Sequence, residues 1–269
     1  AAKVGAAAVG AASTAIVALT KNAIDNYGEY EQLVGGVETL FKTSADAVMQ
    51  YAANAYQTAG MSANEYMTTV TAFSASLLQS MGNDTEAAAE KANLAITDMS
   101  DNANKMGSSM ESIQNAYSGF AKQNYTMLDN LKLGYGGTKE EMQRLLDDAN
   151  ALNANYTIES YADIVDAIHT VQTEMGITGT TQLEASTTIQ GSLSSMKAAY
   201  QNFVTGLGNQ NADIAELSTN LLSSAVTVAE NILPVVETIL SNIGTFVQEK
   251  GPEMIEKFVS YAIEKLPQI

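Results

Sequence analysis

Three groups of residues in this chain have the types that could do chemistry: a glycine-rich segment, a single histidine and several carboxylate pairs. Residues 134–139 read Gly-Tyr-Gly-Gly-Thr-Lys, a composition found in loops that cradle phosphate. A Walker-type loop needs Gly-Lys-Ser/Thr in that order after a strand, and neither condition is met. A glycine turn followed by an N-capping threonine explains every residue of the segment. We therefore predict a helix junction made by Gly134, Gly136, Gly137 and Thr138 rather than a ligand loop.

His169 is the only histidine, and it follows Ile168 at the edge of an apolar helix face. A triad or a metal site would need partners at a recognisable spacing, and none is evident, so we predict a surface or edge histidine. The acidic pairs are Asp98 with Asp101, Glu140 with Glu141, and Asp147 with Asp148. They match neither an EF-hand nor a HExxH motif, and solvated helix faces explain them. The sequence predicts no catalytic, cofactor-binding or metal-binding residue.

Composition excludes several further classes of function. The 269-residue chain has 13 basic and 30 acidic side chains and a formal net charge of −17. A nucleic-acid binder or a protein docked on an anionic membrane needs a basic face, which this balance does not supply. The absence of cysteine rules out disulfides, thiolate catalysis and zinc–sulfur sites. Bidentate anion recognition has only Arg144 to work with.

The elements that would position these residues all read as helices. Capping-type pairs predict six helix starts, at Ser62, Asn83, Ser108, Thr138, Ser160 and Thr181. Each start opens a helix of about 14 to 22 residues, and glycine ends most of them. No alternating run typical of a strand is present. We predict an all-α fold: a succession of amphipathic helices with glycine-rich breaks, extended or loosely bundled and self-associating.

Apolar spacing predicts which helix faces lie in the core. One regular face steps by four, three, four and four from Tyr66 to Met81, and another runs from Tyr161 to Met175. The most regular face in the chain comprises Ile189, Leu193, Met196, Tyr200, Phe203 and Leu207. Its unbroken heptad-like spacing predicts a packed interface.

The segment from Ser108 to Asn150 reads as helix, turn, helix, with the first helix ending at the glycine turn. Glycine suits such a reversal because it adopts positive φ at no steric cost. Aromatic and aliphatic side chains are concentrated near the turn: Tyr117, Phe120, Tyr125, Leu133 and Tyr135. We predict that these five residues fix two helices together or dock a partner.

The chain divides into three regions on composition. Residues 1–26 form a small-residue apolar helix, residues 27–208 the main helical region, and residues 209–269 C-terminal apolar and amphipathic helices. Pro234 is expected to kink or split a helix, and Pro252 to lie in the first turn of the last one. Since the sequence starts with Ala and has no signal-peptide pattern, we expect a fragment or a processed product.

Several stretches resemble the tail tape-measure proteins of tailed bacteriophages and of phage-tail-like particles. They are YEQLVGGVETLF at 30–41, ANAYQTAGMSANEYMTTVTAFSASLLQSMGNDTEAAAEKANLAITDMSDNANKMG at 53–107, and SMESIQNAYSGFAKQNYTMLDNLKLGYGGTKEEMQRLL at 109–146. A weaker similarity continues through TTIQGSLSSMKAAYQNFVTGLG at 187–208. The resemblance covers about two-thirds of the chain, and the last sixty residues match less distinctively.

The resemblance implies a structural, non-enzymatic role inside the tail tube of a virion or tailocin, or at the tail tip. Such proteins set tail length, are made and assembled in the bacterial cytoplasm, and leave at infection to help DNA delivery. Implied partners are other copies of the chain, three or six in number, the tail tube protein, tail-tip or baseplate hub proteins, and tail assembly chaperones. Sequence-specific nucleic-acid binding is not implied.

Two alternatives stay open at the level of sequence. Residues 4–20 and 214–247 could act as membrane-inserting segments that contact the membrane at infection. A cell-wall hydrolase acting through Glu140 or Glu141 is the other alternative, although no stretch matches a muralytic domain. Absence of liposome leakage would remove the first alternative. Loss of peptidoglycan clearing on substitution of Glu140 or Glu141 would be needed to keep the second.

Overall fold

A computed structural model describes residues 2–152 and 154–265, with side chains from residue 17 to residue 245 and at scattered later positions. The described chain is all-α, as predicted, and strands are absent from these residues. The helices are α1 (Ala2–Phe41), α2 (Ala45–Thr58), α3 (Ala63–Ser80), α4 (Thr85–Met106), α5 (Met110–Phe120), α6 (Lys139–Asn150), α7 (Tyr161–Glu174), α8 (Thr180–Thr187), α9 (Ile189–Gly208) and α10 (Ile214–Lys265). Two 3₁₀ turns cover Lys42–Ser44 and Leu128–Leu131.

Three of the predicted helix starts are confirmed by their capping hydrogen bonds. Ser62 begins α3 with both halves of a capping box, because its hydroxyl accepts from the Glu65 N–H and the Glu65 carboxylate accepts from the Ser62 N–H. Thr138 and Ser160 cap α6 and α7 through their hydroxyls. These bonds satisfy backbone donors that the first helical turn leaves unpaired.

Two other starts were predicted one residue too early. Asp84, not Asn83, caps α4, because Asn83 adopts a positive φ of 63° in the preceding turn. Ser109 caps α5, while the hydroxyl of Ser108 instead donates to the carbonyl of Asn130 at 2.7 Å. Both corrections replace a candidate cap by a neighbour with the same hydrogen-bonding chemistry.

Predicted breaks differ from the structure in four places. The helix predicted to run from Ser108 to the glycine turn ends at Phe120. The pair Gly35-Gly36 is a sequence signal for a break, yet α1 passes through it without interruption. Thr181 does not start a helix, since α8 begins after Gly179 and the chain turns again at Thr188. Thr188 is the C-cap of α8 and the N-cap of α9, so one predicted helix is two.

Pro234 does not split α10, and the alternative that it kinks the helix stays a prediction. Pro234 and Pro252 both lie inside one helix that runs from Ile214 to Lys265. Pro234 removes the donor to the Glu230 carbonyl, and because Glu230 is exposed, that carbonyl can bind water instead. The predicted separate last helix beginning near Pro252 is therefore wrong.

A single large core lies around α4, which contacts most of the other helices. Its Ile96 and Met99 are fully buried, and so are Met67 of α3 and Ile168 of α7. The apolar faces predicted for Tyr66 and Tyr161 point into this core, although Met175 at the end of the second face is exposed. Burial of this aliphatic and aromatic surface is the main source of stability for the folded body.

Helix α9 packs with the opposite face from the one predicted. Small and polar residues are buried: Ser192, Ser195, Ala198, Ala199, Asn202, Val204, Thr205 and Gly206. On the predicted apolar face, Leu193, Tyr200 and Leu207 are exposed and the other three residues are half-buried, and Tyr200 is 44% exposed. Gly206 and Gly208 allow the neighbouring helices to approach closely, because a Cβ there would lie 2.3 Å from Leu217 and 2.6 Å from Tyr27, respectively.

The three-region division stays a prediction. Helix α1 crosses residue 26 without a break, and residues 209–213 separate α9 from α10. The side chains of residues 1–16 lie outside the described part, so the small-residue face predicted there is not described.

Candidate assembly surface

The predicted helix junction is held by a close backbone approach rather than by a run of positive φ angles. Gly134 has a φ of 88°, but Gly136 and Gly137 do not adopt positive φ. A Cβ on Gly137 would lie 2.3 Å from the Thr126 carbonyl oxygen, so only glycine fits there. The reversal that the sequence assigned to three flexible glycines thus depends on two different properties, conformation at Gly134 and size at Gly137.

Arg144 fastens this junction to α6. Its guanidinium donates to the Gly134 carbonyl at 2.7 Å and to the Glu141 carboxylate at 2.6 Å, and it lies 4.3 Å from the centroid of the Tyr135 ring. Glu141 also accepts from the Gly136 N–H at 2.9 Å. This set of contacts combines charge-assisted hydrogen bonds with a cation–π contact around one turn.

The same contacts bear on the hydrolase alternative. The hydrogen bond from Arg144, followed by that from the Gly136 N–H, lowers the pKa of Glu141 to about 2. Its carboxylate is therefore ionised at neutral pH and does not have the raised pKa that a general acid needs. Burial, followed by its hydrogen bond to Asp148, raises the pKa of Tyr135 to about 12, which keeps that phenol protonated. These contacts stabilise the helix junction.

The predicted aromatic cluster lies inside the protein. Tyr117 and Phe120 have ring centroids 5.8 Å apart, and Phe120 and Tyr125 have centroids 6.2 Å apart. Leu133 and Tyr135 belong to the same core, and none of the five residues is more than 9% exposed. In this structure the five side chains pack α5 and the following loop against the core, and they present little surface to a partner.

His169 has a partner that sequence spacing did not reveal. Its Nδ1 lies 2.9 Å and 3.0 Å from the two carboxylate oxygens of Asp98, which is fully buried on α4. A second ion pair, between Lys91 and Asp166, joins the same two helices. Among the described residues the ring's hydrogen bonds are to Asp98, so no hydroxyl nucleophile completes a triad here.

Asp101 is also fully buried, which corrects the prediction that Asp98 and Asp101 lie on a solvated face. Its carboxylate accepts from the backbone N–H groups of Gly179 and Thr181 at 2.6 Å and 2.7 Å. The side chain thus caps α8 from another helix, a role that Gly179 at the N-cap position cannot fill. Sequence reasoning missed both carboxylates because their partners are more than 70 residues away.

Ligand chemistry is sparse in the part of the chain that the structure describes. No group of three or more His, Asp or Glu side chains there could hold a metal ion. A cavity of about 260 Å³ between α8, α9 and α10 is lined by polar side chains such as Ser192, Ser195 and Ser224. A cavity of about 430 Å³ near the α9–α10 loop is rich in asparagine. Neither cavity brings together an acid, a base and a nucleophile.

The largest group of solvent-exposed apolar side chains in the described residues lies on α9 and α10. On α9 it is the predicted face, here called the α9 stripe: Ile189, Leu193, Met196, Tyr200, Phe203 and Leu207. On α10 a second set, the α10 stripe, comprises Leu222, Val226, Ala229, Leu233, Val236, Leu240 and Ile243. Leu222 is 67% exposed and Leu240 is 63% exposed. Three residues of the α9 stripe, Leu193, Tyr200 and Leu207, are exposed, and the other three are half-buried. Exposed large apolar side chains in this number are typical of interaction surfaces.

Asn231 marks the point where α10 leaves the folded body. Its side-chain amide donates to the carbonyls of Ser186 and Thr188 at 3.3 Å and 3.1 Å. Before it, buried Ser224 and Val228 pack α10 on its neighbours, and after Ile232 the residues to 245 are all exposed. One segment in the described residues, Ile214–Thr245, is long and apolar enough to cross a membrane, with mean hydropathy 1.2 and 11% of its best window buried.

Comparison of the chain with protein-family models, with curated proteins and with solved structures finds no match in any of the three.

Proposed function

We propose that this chain is a non-enzymatic structural protein of the tail interior, a tape-measure segment that sets tail length and is released at infection to help DNA delivery. The observation that carries the proposal is the large apolar surface of α9 and α10 on an otherwise well-packed helical body. Folded monomers rarely expose an apolar patch of this size, so we infer that other chains cover this surface in the assembled state. The sequence resemblance supplies the kind of assembly.

Charge supports the same role. The net charge of −17 repels DNA, which must pass through the tail tube without being held by the protein. The described ionisable groups serve in caps, clasps and ion pairs, with Asp98, Asp101 and Glu141 as the clearest cases. This use of charge is structural, and it supports a protein without catalysis.

The proposal includes its partners and location. The chain would act in several copies, three or six, inside the tail tube or at the tail tip, after assembly in the bacterial cytoplasm. It would meet the tail tube protein, tail-tip or baseplate hub proteins, and assembly chaperones. None of these contacts requires sequence-specific nucleic-acid binding.

Deletion of the gene, followed by complementation, tests the proposal. We expect particles from the deletion strain to lack tails or to have tails of uncontrolled length, and complementation by the full chain to restore a single length in electron micrographs. Mass spectrometry of purified particles should find the chain in the virion. Normal tails of uniform length without the gene would overturn the proposal.

A membrane-inserting segment is the second candidate, and the observation that favours it is the length and composition of Ile214–Thr245. Dye leakage from neutral liposomes tests it, with Leu233→Glu as the variant and Leu233→Ile, which keeps the side chain apolar, as the control. Insertion predicts leakage that Leu233→Glu abolishes. Absence of leakage from the full chain at any pH would remove this candidate.

A further inference from the structure

We infer that the apolar faces of α9 and α10 form one surface, and that its occupant is the same surface of a second copy of this chain. Helices α9 and α10 run antiparallel, since Gly206 meets Leu217 near one end and Thr188 meets Asn231 near the other. We call this pair the α9–α10 hairpin. The inference rests on the proposed structural role and names the partner of that surface. Of the two proposed copy numbers it selects six, which three such pairs would make.

Helix α9 buries its polar side and leaves large apolar side chains exposed, which is unusual for a monomer. Its inward side carries hydroxyl and amide groups, such as those of Ser192, Ser195 and Asn202, whereas the six large apolar side chains of the α9 stripe lie outward or at the edge. Folding normally buries the larger apolar side chains, because they contribute the most free energy on removal from water. The arrangement makes sense if the outward side becomes the interior of an assembly.

The α10 stripe has the regular spacing of a face that packs against other helices. Its residues are separated by four, three, four, three, four and three positions from Leu222 to Ile243. This is the a/d spacing of helices that pack knobs into holes against other helices. Ile232 and Ile239 flank the stripe at another heptad position and widen the apolar face. The face is wider than a two-stranded seam needs and suits a bundle of more than two helices.

Both stripes fall on the same side of the hairpin. Buried Ser195 on α9 and buried Ser224 on α10 line one cavity together with Gln57 of α2, so these residues mark the side that faces the folded body. Helical geometry turns the α9 stripe and the α10 stripe away from these two serines. Two adjacent apolar helix faces on one side form a surface that another two-helix surface can cover, as in a four-helix bundle.

The size of the surface fits a stable pair. The nine exposed large side chains of the two stripes, together with Ile239, are 36% to 67% exposed. With about 100 Å² of apolar surface for a fully exposed aliphatic side chain, these residues present on the order of 500 Å² per chain. Stable interfaces bury roughly 800 Å² on each partner, and somewhat more than half of that area is apolar. The apolar surface of the two stripes is therefore about as large as the apolar part that one partner contributes to a stable pair.

Charge and polarity favour a second copy over a lipid bilayer. One side of exposed α10 is polar, with Glu237, Thr238 and Ser241, and Val235 is an exposed apolar residue outside the stripe, whereas a membrane span is apolar on every side. Glu230 and Glu237 border the α10 stripe, and no basic residue lies between them to attract anionic lipid. A water-exposed polar side and an apolar side are what a helix needs at the rim of a soluble bundle.

The test measures the mass of the full 269-residue chain by sedimentation velocity over a range of concentrations. We expect the parent chain to form a dimer, and Leu233→Glu with Leu240→Glu to shift it to monomer with at least a tenfold weaker association. Thr238→Glu with Ser241→Glu adds the same charge on the polar side and should leave the dimer unchanged. On α9, Leu193→Glu with Tyr200→Glu should also give monomer, with exposed Gln190→Glu as its control.

Each outcome bears on the inference. Circular dichroism should show unchanged helicity in every variant, since the substituted side chains are exposed in the single chain. A monomeric parent chain, a trimer, or equal weakening by stripe and control variants would overturn the face-to-face pair. A monomer that floats with neutral vesicles would favour the bilayer instead. If the purified chain is a dimer but the deletion strain makes normal tails, the tail role is overturned and the pairing of the two chains stands.

Discussion

Replacing Asp101 by alanine tests whether a buried carboxylate fixes the start of α8. The substitution removes two charge-assisted hydrogen bonds, to the Gly179 N–H at 2.6 Å and the Thr181 N–H at 2.7 Å. Thr181 is 4% exposed, so its N–H would lose its partner in a site with little water. Gly179 is exposed, and its N–H can bind water instead.

The magnitude follows from that difference. A buried donor left unpaired costs about 1–3 kcal/mol, and the loss of a bond to a charged group at a wetted donor adds about 1 kcal/mol. We expect Asp101→Ala to lower the free energy of unfolding by about 2–4 kcal/mol. Asp101→Asn keeps one acceptor oxygen and should cost less than Asp101→Ala.

Urea unfolding of the full chain, followed by circular dichroism, measures the effect. Asp147→Ala is the matched control, because its carboxylate is exposed and bonds only to Gln143 of its own helix at 2.9 Å. The control should change stability by less than about 0.5 kcal/mol. An Asp101→Ala chain as stable as the control would refute the argument that this carboxylate caps α8.

Two further predictions concern the helix junction and pH. Gly137→Ala should destabilise the chain by about 1–3 kcal/mol or block folding, because its Cβ would overlap the Thr126 oxygen, whereas Gly136→Ala has ordinary contacts and should be mild; equal thermal shifts for the two would contradict this. Burial raises the pKa of Asp98, and the hydrogen bond to Asp98 raises the pKa of His169. Both groups bind protons more tightly in the folded chain, so the His169 contribution is present below about pH 6.5 and is lost as pH rises through its folded pKa. Unfolding measured from pH 6 to 9 should show this decline in the parent chain and a flatter profile in His169→Gln; an identical slope would contradict the assignment.

Sequence periodicity predicted the class of the fold and several helix starts, because those features are set by neighbouring residues. The Ser62–Glu65 capping box is complete within four positions and forms as predicted. The regular faces of α3 and α7 point into the core because their other sides are polar. Local patterns of this kind need no knowledge of the rest of the chain.

The same periodicity could not identify what each face meets. The α9 stripe is the most regular apolar face, yet half of it is exposed, because α9 buries its small residues where it packs against α10, α1, α8 and α2. Asp98 and Asp101 read as solvated, since the groups that satisfy them belong to α7 and α8. Spacing within a helix indicates an amphipathic face, whereas the choice between core, partner and water depends on contacts distant in sequence.

The glycine turn shows an intermediate case. The sequence predicted a junction at Gly134 to Thr138, and the structure has one there with Thr138 as the N-cap of α6. The sequence does not predict the role of each glycine, because the tight contact at Gly137 is made with Thr126, which lies on a loop where the sequence predicts a helix. The position of the turn was therefore predicted correctly, but the reason for glycine at Gly137 was not.

An electron cryomicroscopy map of the assembled particle would locate the chain and its neighbours. We expect density for this chain in several copies inside the tail tube or at its tip, with the apolar sides of α9 and α10 covered by neighbouring chains. Density on the outside of the particle, absence of the chain from the particle, or copies whose α9 and α10 stripes face solvent would contradict this expectation.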